Sequence, residues 1–185
     1  SYSSAASDVY KRQIIHIPSV ATLTTVAGGT SNPDYIEVSE LKDWFLDAKE
    51  GNDEVVVEET STGFELYGAG DSDTLTAMGD VADAMIKGGA AADNITIKGA
   101  TTNTSVYGGK AADSITFDRA VVGGVVYGDT NKDTITFTDK VSGGTIVDGG
   151  ADDDSLTFNK RITNVTVNGG ACLLYTSPSP RDQLQ

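Results

Sequence analysis

Cysteine is all but missing: the 185 residues hold one, Cys172, together with a single histidine and a single tryptophan. That excludes a disulfide framework and thiolate metal sites. A lone His16, with no nucleophile motif around it, offers little to acid–base or covalent catalysis, so no enzyme is expected. Basic residues are also scarce, 13 against 27 acidic, for a formal charge of −14. Such a field repels phosphate backbones and anionic headgroups and draws cations, so nucleic acid is not an expected partner and metal ions are. No apolar run approaches the roughly 18 residues that cross a bilayer, so membrane insertion is not expected.

The two ends read differently from the middle. Residues 1–13, with Asp8-Val-Tyr-Lys-Arg-Gln13, and residues 172–185, with Leu173-Leu-Tyr-Thr-Ser177, resemble the two translated adaptors of a sequencing library, since one DNA read on its opposite strand in a shifted frame encodes both. They are expected to be disordered additions to a fragment, 14–171, of a longer gene, and are set aside from fold reasoning. Setting them aside removes Lys11, Arg12, Arg181, Asp8 and Asp182 and leaves the acid excess.

What fills the middle is a repeat. Aligned on one aspartate, units begin Asp73-Thr-Leu-Thr-Ala77, Asp93-Asn-Ile-Thr-Ile97, Asp113-Ser-Ile-Thr-Phe117, Asp133-Thr-Ile-Thr-Phe137 and Asp154-Ser-Leu-Thr-Phe158, with weaker copies at Asp34 and Asp53. Five residues before these aspartates stand Gly29, Gly68, Gly88, Gly108, Gly128 and Gly149, with Ala48 the exception, each expected to supply the positive φ of a tight corner. Two residues earlier the column is aliphatic, Leu46, Leu66, Ile86, Val106, Val126, Val147 and Val167. After each aspartate, apolar and hydroxyl residues alternate, the signature of a strand with one buried face. A unit of two short strands cannot bury its apolar face alone, so the coils must stack with equivalent strands in parallel. The expected fold is all-β: a parallel β-solenoid, a β-roll or β-helix, of about seven coils of about 20 residues, two strands per coil.

Ser39 to Gly51 competes with this, carrying an N-cap serine, apolar Leu41, Trp44, Phe45 and Ala48, and a closing glycine, all helix signals. The 19-residue step from Asp34 to Asp53 and the match of Leu46 to the aliphatic column favour a coil.

The pattern Gly-x-x-x-x-Asp-x-aliphatic resembles the nonapeptide G-G-x-G-x-D-x-U-x of the RTX, or hemolysin-type, calcium-binding family. It departs in occurring once per coil, and in placing Asp71, Ala91, Ala111, Asn131 and Asp152 where the family's third glycine stands. The resemblance implies Ca²⁺ held between coils by Asp53, Asp73, Asp93, Asp113, Asp133 and Asp154. Asp71, Asp129 and Asp152 would add oxygens at three corners, because calcium takes six to eight oxygen ligands. It also implies an extracellular or cell-surface rod, a stalk, surface-layer or adhesin spacer, folding where calcium is plentiful. Read without the family, the same aspartates can bond nearby amides in Asx-type turns with no metal, as in a metal-independent virion fibre or tail protein. Two outer strips complete the picture. Tyr67, Tyr107 and Tyr127, interrupted by Lys87, Asp148 and Asn168, suggest a glycan-binding module, with a surface glycan or further coils of the same longer protein as partner. The column Thr76, Thr96, Thr116, Thr136, Thr157 resembles the Thr-x-Thr surface of solenoid ice-binding proteins, although strand propensity explains the same residues.

Overall fold

The computed structural model describes residues 13–17, 26–27, 29–169 and 173–176. It is a parallel β-solenoid of about seven turns, with no helix among the described residues. One nine-stranded sheet stacks Gln13–Ile17, then the seven strands at the repeated aspartates, Asp34–Val38, Glu54–Val57, Thr74–Ala77, Asn94–Ile97, Ser114–Phe117, Thr134–Phe137 and Ser155–Phe158, and finally Leu173–Thr176. Every pairing is parallel and in register, Ile95 against Leu75 on one side and Ile115 on the other. The remaining strands form a twelve-stranded sheet on the other side of the core. Of the expected disordered ends, most residues lie outside those described, while Leu173–Thr176 is strand paired with Ser155–Phe158.

The second strand of each coil is bent. In Val141–Asp148 and Ile162–Asn168 it is continuous, whereas earlier coils split it into pieces such as Val81–Ala82 and Met85–Gly89. The break falls at a left-handed residue, Asp43, Gly63, Asp83, Asn103 or Gly123, and Gly143 and Asn164 hold the same conformation in the last two coils. Asp, Asn and Gly are the residue types that tolerate it.

Ser39 to Gly51 resolves as a coil. Trp44, Leu46 and Ala48 alternate into the core around the strand Phe45–Asp47, and Leu41 is buried with them. Periodicity of two prevails over the helical spacing because Leu46 pairs Leu66, while Phe45 lies outside against Tyr67, ring centroids 5.1 Å apart.

Two core columns trade bulk along the axis. The column ending each strand of the nine-stranded sheet runs Val38, Val57, Ala77, Ile97, Phe117, Phe137, Phe158, its three phenylalanines stacked at 4.9 Å. The column opening the outer half of the second strand runs Trp44, Phe64, Ala84, Thr104, Gly124, joined coil to coil by bonds such as Met85 N–H to the Phe64 carbonyl. The column continues through Thr145 to Val165, so the aromatics of the two columns fall in different coils.

Candidate functional site

Each repeated aspartate is turned inward. Asp34, Asp53, Asp73, Asp93, Asp113, Asp133 and Asp154 are 1–3% exposed, the carboxylates of an interior that is otherwise apolar but for Ser61, Thr101, Thr104 and Thr145. The reason is an amide. At the start of each strand the N–H of one ladder aspartate donates to Oδ1 of the next, from Asp34 N to Asp53 at 2.7 Å, through Asp53 to Asp73, Asp73 to Asp93, Asp93 to Asp113 and Asp113 to Asp133, each at 2.8 Å, to Asp133 N and Asp154 at 2.9 Å. The side chain thus supplies the acceptor that a neighbouring main chain does not, satisfying a buried donor.

The second oxygen is left over. Among the described residues, Oδ2 of Asp53, Asp73, Asp93, Asp113 and Asp133 is buried with no hydrogen-bond donor. For Asp73, Asp93, Asp113 and Asp133 it lies against the glycine five residues earlier, while Ala48 holds that place before Asp53: a Cβ on Gly108 would stand 2.5 Å from Asp113 Oδ2 and 2.9 Å from the Gly128 carbonyl oxygen. This corrects the expected role of the glycine column. Gly68, Gly88, Gly108, Gly128 and Gly149 do not have positive φ; they are glycine because the carboxylate and the next coil's main chain occupy the space of a side chain. Left-handed backbone comes later in the corner, at Gly89, Gly109 and Gly150 and at their equivalents Lys49, Ala69 and Asp129.

Burial raises the pKa values of the row, making its members weaker acids. Asp53 and Asp93 are pushed up to about 6, Asp113 and Asp133 to about 7, and Asp73 to about 8, chiefly by loss of hydration and against the lowering effect of the amide bond. Neighbouring ladder carboxylates add to the rise at Asp53, Asp73, Asp113 and Asp133. Asp154 is raised for the same leading reason.

Asp71, Asp129 and Asp152 are not part of the row. All three have left-handed φ, 60°, 78° and 79°, and Asn131 matches them at 77°. Their residue type therefore has a conformational cause before any ligand role. Asp71 and Asp152 are exposed and Asp129 half-buried, and Asp71 Oδ2 accepts from Gly51 N–H at 3.0 Å. They sit close enough to raise the ladder, Asp71 acting on Asp73, and Asp129 and Asp152 on Asp133. Among the described residues, no three His, Cys, Asp or Glu side chains converge as a metal-holding group. The donors that fit calcium are all hard oxygens: the unpartnered Oδ2 atoms and the glycine carbonyls beside them.

Asp34 belongs to the ladder although its copy of the repeat is degenerate. Its Oδ2 accepts from both the amide and the hydroxyl of Thr30, at 2.7 and 2.9 Å. The left-handed column from Asp43 to Asn164 was also missed by sequence reasoning, and its signal was a Gly, Asn or Asp ten residues after each ladder aspartate from Asp53 on.

On the outer face of the twelve-stranded sheet, Lys87 continues the tyrosine strip it was expected to interrupt. Its Nζ lies 5.0 Å from the centre of the Tyr67 ring and 5.4 Å from that of Tyr107. Tyr107 and Tyr127 stack at 5.5 Å with planes 16° apart. Tyr107 thus has a neighbour on each face, and its edge and hydroxyl are what remain outward. On the opposite sheet, Thr76, Thr96, Thr116, Thr136 and Thr157 align in one row and Thr74, Asn94, Ser114, Thr134 and Ser155 in another.

Compared with known proteins, the chain matches no family model, no curated sequence and no solved structure.

Proposed function

We propose that this segment is a load-carrying spacer of a longer extracellular or surface-displayed protein, and that calcium neutralises its aspartate row. The observation that carries the reading is the line of buried Oδ2 atoms without donors. Carboxylates repeated at every coil, about 4.8 Å apart, repel one another unless each gains a proton or a cation. Asp53, Asp73, Asp93, Asp113, Asp133 and Asp154 would hold the ion with corner carbonyls, Asp71, Asp129 and Asp152 reinforcing the field from outside. When bound, the ion would supply the counter-charge that lets the coils close, coupling binding to folding. Acids that recur at every coil support a structural role over a catalytic one.

A second reading rests on a different observation: Oδ1 already has its amide, Oδ2 is packed against glycine, and burial favours the neutral acid. A proton then replaces the metal, and the rod is a metal-independent fibre segment.

Urea melts at pH 7.5 with calcium, magnesium or chelator decide between them. The calcium reading expects stabilisation by calcium alone, about 2.7 kcal/mol at a hundred times the dissociation constant, and a smaller gain in Asp113→Asn. Coincident melts in calcium and chelator, with Asp113→Asn more stable than the parent, would establish the protonated ladder instead.

A further inference from the structure

The two long edges of the rod arrange their charges differently. At the ladder corner Lys132 pairs with Asp153 of the next coil at 3.3 Å. The opposite edge carries the turns after the strands of the nine-stranded sheet: one beginning at Ser39 and Glu40, then the three-residue turns 58–60, 78–80, 98–100, 118–120, 138–140 and 159–161, on which the pairing below rests. They are stacked by bonds such as Glu59 N–H to the Ser39 carbonyl, Met78 N–H to that of Val57 and Thr138 N–H to that of Phe117. Along the axis these six turns carry Glu58 and Glu59, then Asp80, Lys98, Asp118 with Arg119, Asp139 with Lys140, and finally Lys160 with Arg161. The edge is acidic at one end and basic at the other. All but Asp139 are exposed, and among the described residues none has an ion pair within the chain.

Such a gradient is its own complement under a half-turn. Place a two-fold axis across the rod, midway between turns 98–100 and 118–120. Turn 58–60 then faces 159–161 of the second copy, 78–80 faces 138–140, and 98–100 faces 118–120. Glu58 and Glu59 meet Lys160 and Arg161, Asp80 meets Lys140, and Lys98 meets Asp118, each contact made twice as an isologous interface requires.

We propose that this edge pairs two copies of the chain side by side and antiparallel. The axis passes through a shallow depression of about 410 Å³ in which Met78, Gly99, Ala100 and Ala120 are ringed by the charged Asp80, Lys98, Arg119 and Asp139. Small residues there let the two main chains approach, and Met78, 41% exposed, falls beside the partner's turn 138–140. A single narrow edge lies at the low end of interface sizes, and exposed ion pairs are individually weak, so pairing of this chain is transient. It strengthens as further coils add contacts in register. The inference rests on the rod and its edge charges, and is independent of what neutralises the ladder.

The test is sedimentation of the whole 185-residue chain at fixed free calcium. A dimer is expected at about 0.2 mM protein in low salt, with a dissociation constant at least about tenfold higher in 0.5 M salt, where screening is nearly complete. The pair Glu58→Lys, Glu59→Lys weakens it about tenfold, as does Lys160→Glu, Arg161→Glu, while all four together restore it. Carbodiimide should link Glu59 to Lys160 between chains. Absence of a low-salt dimer, association indifferent to salt, a fourfold variant weaker than either pair, or links from Lys160 to Asp152 or Asp153 would each overturn the proposal. Circular dichroism verifies that variants are folded, and the exchange Asp80→Lys, Lys140→Asp poses the same question should a pair variant fail to fold.

Discussion

Asp113 shows how one side chain answers two demands. Its Oδ1 completes the hydrogen bonding of the Asp93 amide, and its Oδ2 is buried against Gly108 with no donor. The sign of the pH dependence follows. In chelator the folded-state values, about 6 for Asp53 and Asp93, about 7 for Asp113 and Asp133 and about 8 for Asp73, lie above the ordinary 3.8. The folded chain therefore holds more protons than the unfolded one between these limits, and stability, complete below about pH 4, is lost as pH rises through 6 to 8. Urea midpoints from pH 4 to 9 should fall in chelator; with calcium, which competes with the proton for the carboxylates, they should fall less. A midpoint flat with pH in chelator would mean the row is not desolvated as described. Glycine makes a second residue-scale comparison. Gly108→Ala drives a Cβ into Asp113 Oδ2 and main chain and should cost about 1–3 kcal/mol or more, whereas Gly70→Ala meets nothing nearer than 3.9 Å and should change the urea midpoint little. The sequence displayed the glycine and aspartate columns five residues apart; that the two touch was invisible, because spacing does not show which way a side chain turns.

At the scale of the strand, alternation carried almost everything. Leu75, Ile95, Ile115, Ile135 and Leu156 were expected inside and are buried. What periodicity could not supply was how columns compensate, because each was read singly. The phenylalanine stack is visible in sequence, but Trp44 counted as a helix signal, and only the fold sets it and Phe64 in the column where later coils have Ala84, Thr104 and Gly124. Phe137, held between Phe117 and Phe158 at 4.9 Å on either side, should cost about 3–5 kcal/mol when changed to alanine, measured by urea unfolding. Thr136→Ala, on the outer face of the same strand, should cost under about 1 kcal/mol. Equal losses at the two positions would contradict the assignment of inside and outside.

Across the whole molecule, each coil touches its neighbours through the same bonds and columns. Stability is then close to a sum of coil terms and nearest-neighbour terms. Excising residues 93–112, so that Ala92 joins Asp113, keeps every column in register and should leave a folded rod whose urea m-value falls by roughly a seventh. Loss of the β-type circular dichroism would show instead that the core columns act as one indivisible unit. The in-register stacking also has a meaning for descent. The unit of the gene and the unit of length are the same, so unequal crossing-over between near-identical repeats shifts the rod's reach in steps of about 4.8 Å while its cross-section stays as it was. A lineage carrying such a gene can adjust how far it reaches without having to rediscover how to fold.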